Sequence, residues 1–410
     1  MNQTQGPERR KVSQFFIRHY LNKAILKQIF LRPQTRTSLV DHFGVRPNTI
    51  SEHVSGLLQL GMISQSEPIK TGGRDLVTLR INNDHSRYCG VMIDGEKTRG
   101  VAIGLAGETV YQYSAVNPQP SASRDFVENI ADVVTHLLQN SGGRVESICF
   151  AGEHFSPNDR SYHSEYVDDF ARVDFLGRIR NLSNLEPRFQ SGIYAKTIAE
   201  RWFGEGKGVD NFAFVNLGTG VSAGIVHKSI LNQGAYRIGG QLGHTRGFSD
   251  LRCRCGRVGC LETVASVWAV KDFLKANPEI LGQSATRNLD SIPLAGVLTS
   301  YLDAAVTRKN AEAILHLKGM ARNWAIAVRN IVDLLAPGTV ILGGAMLAAK
   351  EVILPVIEDE LKSGLFPFED RTTSLRLSRL GEYNGAMGAA AFLLEEIYSI
   401  PEPEYYFDLI

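Results

Sequence analysis

The sequence predicts an α/β protein with two similar lobes behind a small helical module. Three observations carry that reading: a strand–turn–strand opening occurs twice, basic charge is concentrated at one end, and three cysteines crowd into eight residues. At 410 residues the chain is too long for one ordinary core, and 43% hydrophobic with 21% charged residues reads as soluble and globular. No apolar run reaches the length of a membrane span. The start, "MNQTQGPERRKVSQFF", lacks the apolar centre of a secretion signal, so a cytoplasmic protein without a membrane partner is expected.

Residues 1–82 hold 12 Lys and Arg against 5 Asp and Glu, whereas the remainder holds 32 against 38. A basic fifth on a mildly acidic body fits a nucleic-acid-binding module, although solvated charge alone would look the same. Periodicity narrows the choice. Leu21, Ile25, Leu26 and Ile29 share one helical face, and Leu39, Val40 and Phe43 follow in a short helix that Gly44 ends. Pro47 suits the first turn of a further helix, with Ile50, Val54, Leu57 and Leu58 as its buried stripe. Its other face shows Asn48, Thr49, Ser51, Glu52, His53 and Ser55. This is a helix-turn-helix whose second helix suits the major groove. Two short alternating runs then flank "IKTGGRD", a basic wing. A module that docks protein is the alternative. The expected DNA contacts are Arg46, Asn48, Thr49, Ser51 and His53, with Arg74 on the wing. The partner is double-stranded DNA carrying an inverted repeat.

Beyond Asp84, "YCGVMIDGEKTRGVAIGLAGETVYQYSAV" reads as three strands with tight turns, followed by a helical stretch and a buried strand ending at Gly152. "NFAFVNLGTGVSAGIVHKSILNQG" repeats the opening, and "PGTVILGGAM" is another buried strand. The recurrence predicts two similar lobes.

The densest chemistry lies in "HTRGFSDLRCRCGRVGCLE". Cys253, Cys255 and Cys260 are spaced C-x-C-x4-C, with His244 nine residues upstream. Three thiolates and an imidazole make a closed tetrahedral set, which suits one structural Zn²⁺ per chain and leaves no open coordination position for catalysis. Reduced thiols in a surface turn are the alternative. Cys89 and Cys149 lie in apolar strands and read as core.

The landmarks "GVMIDGEKTRGVAIG", "NLGTGVSAGI", "IGGQLGH", "CRCGRVGCLE", "VILGGAM" and "GEYNGAMGAAAF" resemble, in order, those of the ROK family of repressors and sugar kinases, in its regulator branch of N-acetylglucosamine- and xylose-type repressors. The resemblance implies two actin-like, ribonuclease-H-like lobes with a sugar site in the cleft. It implies a winged helix-turn-helix over 1–83, a first lobe over 84–205 and 385–410, and a second over 206–384 that carries the metal loop and an oligomerisation surface. It assigns zinc to the same four residues. For the ligand it points to Gly152, Glu153, Ser191, Gln241, His244 and Glu262.

The kinase pattern is broken at three places. Where the kinases read Asp-x-Gly-Gly-Thr, this chain has Met92, Asp94 and Glu96 at the Asp, first Gly and Thr positions, and two carboxylates there oppose a polyphosphate. Where they carry an Asn-Asp pair whose Asp is the catalytic base, this chain has Ser191 and Gly192, and glycine accepts no proton. A sugar-binding Glu is replaced by Gln241. No catalytic residue is therefore expected. The sequence reads as a DNA-binding transcriptional regulator, a repressor of carbohydrate-metabolism genes, whose dead kinase-like body senses a sugar or sugar phosphate. A homodimer or homotetramer is expected. Control by a protein partner, or an active sugar kinase, are the competing readings.

Overall fold

The computed structural model describes residues 14–67, 77–117, 123–152, 155–156, 161–162, 174–281, 289–364 and 373–399. The N-terminal module comprises α1 (Gln14–Leu31), α2 (Arg36–Phe43), α3 (Pro47–Gln59) and an antiparallel pair, β1 (Ile63–Gln65) and β2 (Leu79–Ile81). Local chemistry explains its boundaries. Thr35 caps α2 by accepting from the Ser38 amide at 3.0 Å, while Ser38 Oγ accepts from the Thr35 amide at 2.9 Å. Gly44 ends α2 at φ 63°, a left-handed conformation that glycine adopts without strain. Pro47 opens α3, where its missing N–H costs nothing. Ile25, Leu39, Ile50, Val54 and Leu79 close the core of the module, each fully buried.

The first lobe contains β3 (Arg87–Ile93), β4 (Lys97–Gly104), β5 (Thr109–Val116), α4 (Ser123–Asn140), β6 (Val145–Gly152), β7 (Phe155–Ser156), β8 (Ser161–Tyr162), α5 (Phe175–Ser183), β9 (Arg188–Ser191) and α6 (Gly192–Phe203). The second contains β10 (Phe212–Leu217), β11 (Val221–His227), β12 (Ile230–Asn232), α7 (Val267–Ala276), α8 (Leu294–Leu302), α9 (Ala311–Leu335), β13 (Thr339–Gly343), α10 (Lys350–Gly364) and β14 (Ser374–Leu377). The chain then forms α11 (Asn384–Tyr398), which packs on α6 and on β3, β4 and β6 of the first lobe.

The two five-stranded sheets have one topology. Their orders are β5-β4-β3-β6-β9 and β12-β11-β10-β13-β14. In each, the first three strands form an antiparallel meander, and two further strands run parallel to the first. The twice-used strand–turn–strand opening is thus the visible part of a whole repeated lobe. Strands β3 and β10, central to their sheets, are buried along their length and read as continuous apolar runs for that reason. Cys89 and Cys149 sit fully buried in the first lobe, and burial pushes the Cys89 thiol up to about 12. Among the described residues no helix is long and apolar enough to cross a membrane.

The module is fastened to the body. Its core is continuous with that of the first lobe, where Tyr88, Met92, Leu393 and Tyr398 join the same buried cluster. The Asn82 amide donates to Met62 O at 2.9 Å and its side chain to Gly61 O at 2.8 Å, while Asn83 Oδ1 accepts from the Ala106 amide at 3.1 Å. Arg87, 3% exposed, donates to Asn83 O and Ser141 O at 2.7 Å each and pairs with Asp84 at 2.9 Å.

Candidate functional site

The face of α3 that meets solvent presents Arg46, Asn48, Glu52 and Ser55, with Thr49 and Ser51 half-buried beside them. Arg46 is the N-cap, so its cationic side chain stands at the end of α3 from which a reading helix enters a groove. His53 corrects the sequence expectation. It is 8% exposed, and its Nδ1 lies 2.7 Å from Asn22 Oδ1 of α1. The ring is therefore an internal polar tie, not a surface for DNA. Arg74 and the rest of the wing tip lie outside the described residues.

In the second lobe, His244 ends the 3-10 turn Leu242–His244, and Cys260 caps the 3-10 turn Leu261–Thr263. Between them the chain doubles back through bridges Arg246↔Cys260 and Arg252↔Val258. The ligand atoms of His244, Cys253, Cys255 and Cys260 all lie within 4.8 Å of one another. Cys253 Sγ is 3.8 Å from His244 Nδ1, and the Cys255 and Cys260 sulfurs are 3.6 Å apart. Tetrahedral ligands about 2.3 Å from a zinc ion stand about 3.8 Å from each other, so the donor set fits such an ion in type and spacing. Burial opposes ionisation of all three thiols and pushes Cys260 up to about 12. At Cys255, hydrogen bonds from Arg257 and the neighbouring thiols outweigh burial and bring it down to about 7. Arg254 stacks its guanidinium 3.0 Å from the ring centre of Trp268, tying the loop to α7. The cluster is thus able to hold a metal ion.

Glu262 links this loop to the cleft. Its Oε1 accepts from the Val221 amide at 2.8 Å, and its Oε2 stands 4.0 Å from His244 Nδ1. The carboxylate bridges the metal loop and the glycine turn between β10 and β11. Gly152 and Ser191 end the parallel strands β6 and β9 and are register partners. Ligand sites of α/β sheets form at such carboxyl ends. Gln241 is exposed at the start of the His244 turn. Glu153 lies outside the described residues.

A cavity of about 440 Å³ lies between the lobes. Its lining includes Met92, Lys196, Asn216 and Thr219, but not Gly152, Ser191, Gln241, His244 or Glu262. The cavity and the expected sugar residues are therefore separate sets. They meet at Gly192, where an added Cβ would lie 3.0 Å from Met92 Cε and 3.1 Å from the Gly152 backbone. A side chain at 192 would need Met92 Cε and the Gly152 backbone to give by a few tenths of an ångström.

The carboxylates of the first hairpin are occupied internally. Asp94 Oδ1 accepts from the amides of Glu96 (3.0 Å) and Lys97 (2.7 Å), and its Oδ2 meets Arg99 at 2.5 Å. Arg99 also donates to Glu382 at 3.0 Å, and Lys97 lies 3.6 Å from the same carboxylate. Burial works against the Arg99 charge, but Asp94 and Glu382 hold its pKa above the usual value. The Arg99 hydrogen bond in turn lowers Glu382. Glu96 reaches across the cleft and accepts from the Ala295 amide, in the first turn of α8, at 2.6 Å. The sequence reading anticipated the carboxylates but not their partners. Arg99, Lys196, Asn216 and Glu382 escaped it altogether. Lys196 had a signal, since it falls one turn after Gly192 on the same helical face.

The fold and site define a two-lobed body of the sugar-kinase type that carries a helix-turn-helix module. The ROK family model matches residues 88–396, and the chain belongs to that family. It is 23% identical over 390 residues to a xylose repressor of Bacillus subtilis, covering 93% of this chain and 97% of the repressor. It is 28% identical to a glucokinase of Thermotoga maritima over 278 residues, which cover 68% of this chain and 87% of the kinase. A solved ROK family transcriptional regulator, described as a homologue of the Escherichia coli Mlc protein, superposes with a TM-score of 0.74 at 21% identity, covering 93% of this chain and 97% of its own. The match to the kinase stops short of the whole chain, whereas those to the repressor and the regulator span nearly all of it.

Proposed function

We propose that the protein is a cytoplasmic DNA-binding transcriptional regulator, a repressor of carbohydrate-metabolism genes, whose body senses a sugar without phosphorylating it. The observation that carries this is the joining of a capped helix-turn-helix, with Arg46 and Asn48 exposed on α3, to a ROK body. Gly192 offers no base, and Met92 packs beside it. The xylose repressor and the Mlc-like regulator, similar along almost their full lengths, favour the same reading. The metal we assign is one structural Zn²⁺ per chain, held by His244, Cys253, Cys255 and Cys260. Bound there, it braces the loop that carries His244 and Glu262. Gly152, Glu153, Ser191, Gln241, His244 and Glu262 would contact the sugar.

The regulator acts as a homo-oligomer on an inverted repeat, its half-sites about one helical turn (~34–36 Å) or a multiple apart. Sugar acts by its differential affinity for two arrangements of the lobes, and a preference of about 2–3 kcal/mol changes operator affinity about 30- to 150-fold. Footprinting with the full-length protein on DNA flanking its own gene tests this. A protected inverted repeat is expected. Binding no tighter than to random DNA of equal length refutes the reading.

A further inference from the structure

The thiols of the metal loop are not equally placed. Cys253 and Cys260 are buried, whereas Cys255 is exposed, as are its neighbours Arg254, Gly256, Arg257 and Val258. Cys89 and Cys149, in the first lobe, are fully buried. The sulfur most open to a dissolved reagent is therefore that of Cys255.

A second sulfur stands close behind it. The Cys255 and Cys260 sulfurs are 3.6 Å apart, while Cys253 Sγ faces His244 Nδ1 at 3.8 Å. A disulfide needs about 2.05 Å, so the pair must close by about 1.5 Å. The chain between them can supply that movement. It consists of Gly256, Arg257, Val258 and Gly259, and the first three are exposed. An added Cβ at Gly256 would meet nothing within 4 Å. Arg257 hydrogen-bonds to the Cys255 sulfur, so a cationic donor stands where negative charge would depart during oxidation.

Pairing these two sulfurs would undo the loop. A disulfide between them leaves one thiol and one imidazole, too few for a closed tetrahedral set. The loop is also tied to α7 by Arg254 on Trp268, and to the turn between β10 and β11 by Glu262 on the Val221 amide.

We propose that Cys255 and Cys260 are a redox modification site, which a hydroperoxide joins as a disulfide, emptying the metal site. This rests on the metal assignment above. The Cys255 sulfur attacks the peroxide: an S–O bond forms, the O–O bond breaks, and the departing oxygen takes a proton from solvent. The Cys260 sulfur then attacks that of Cys255: the S–S bond forms, the S–O bond breaks, and water leaves. Each sulfur gives up one electron, and one hydroperoxide is reduced by two.

The test treats the full-length protein, purified under reducing conditions with its metal, with hydrogen peroxide. Released metal is followed with a chelating dye, and free thiols are counted after denaturation. Trypsin then separates the cysteines, because Arg252, Arg254 and Arg257 place Cys253, Cys255 and Cys260 on peptides of their own. Metal should leave in step with the loss of two of the five thiols, and the Cys255 peptide should be joined to that of Cys260. Dithiothreitol with a zinc salt should reverse both changes. Thiols and metal that survive the peroxide, a disulfide through Cys253, or sulfinic acid without a disulfide each overturns the proposal. So does a disulfide that forms only after a chelator has stripped the metal. If the purified protein carries no metal and the same pair still joins, the metal assignment falls and the redox pair stands.

Discussion

The ring of Phe30, in the N-terminal module, packs 4.9 Å from that of Trp202, at the far end of the helix that begins at Ser191 and Gly192. Phe30 also lies 4.4 Å from Tyr398 of α11, and Trp202 Nε1 donates to Glu395 at 2.9 Å. Helix α6 thus touches the cleft between the lobes with its first turn and the module with its last. Replacing Trp202 with Ala removes a half-buried aromatic cluster and should cost about 2–4 kcal/mol of stability. The ratio of operator affinities with and without bound effector should fall toward one, while effector affinity holds. Gel shifts with and without effector read this directly. An unchanged ratio would show that the signal does not pass through α6.

Asn48 and His53 make a contrasting pair on α3. Asn48→Ala should cost about 1–3 kcal/mol at the specific operator and relax base choice. His53→Ala should leave base choice intact and lower stability by about 1–3 kcal/mol, because Asn22 loses a buried partner. Arg46→Ala should weaken binding to all sequences and flatten its salt dependence. Competition gel shifts at two salt concentrations, with thermal melts, separate the three. Altered sequence preference in His53→Ala would contradict its inward placement.

Cys255→Ser removes one ligand of the metal cluster, and the loop's ties at Arg254–Trp268 and Glu262–Val221 depend on that loop's shape. Metal content should drop, and the melting temperature should fall to that of the chelator-treated parent, since metal binding is coupled to folding. Elemental analysis of the purified protein decides it. A metal-free parent with full stability refutes the structural role.

Gly192→Asp should not create a kinase. Its Cβ would crowd Met92 and the Gly152 backbone, at about 1–3 kcal/mol, and Glu96 would still span the cleft. A coupled ATP assay over a sugar panel should stay at background for both proteins. Turnover by the unmodified protein would overturn the regulator reading.

His316 provides a pH test within the second lobe. It stacks 3.8 Å from Phe273 and shares a 2.8 Å hydrogen bond with Tyr301, and burial pushes its pKa down to about 4. The unfolded chain binds this proton near the ordinary value of about 6.5, so the stabilisation is complete above that pH. It is lost as pH falls toward about 4. Melting temperature should decline over that window less steeply in His316→Gln than in the parent. Parallel declines would remove His316 as the cause.

Legibility in the sequence followed distance along the chain. The metal cluster was readable because its four ligands span His244 to Cys260 and a hairpin brings them together. The stop at Gly44 is local as well. His53 was misread although helical spacing held the answer: it falls three residues after Ile50 and four before Leu57, on the buried stripe. The bonds Glu96–Ala295 and Arg99–Glu382 join residues 199 and 283 positions apart. Only the packed tertiary structure can reveal such pairs. Met92 read only as the loss of the hairpin Asp of the kinase pattern. That it packs beside Gly192 depended on the approach of β3 to the start of α6.

The repeated sheet order has a mechanical consequence. The chain holds two plates of the same design, each braced by its own five-stranded ladder. Between them lies α6, whose Ile193 and Tyr194 share a buried cluster with Phe212, Phe214, Val226 and Ile341 of the second sheet, and single polar ties cross the same boundary. These include Glu96 to Ala295, Glu200 to Ser378, and the Tyr194 hydroxyl to the carbonyls of Gln233 and Gly239. Ties of this kind can be retuned one side chain at a time, with both plates left as they are.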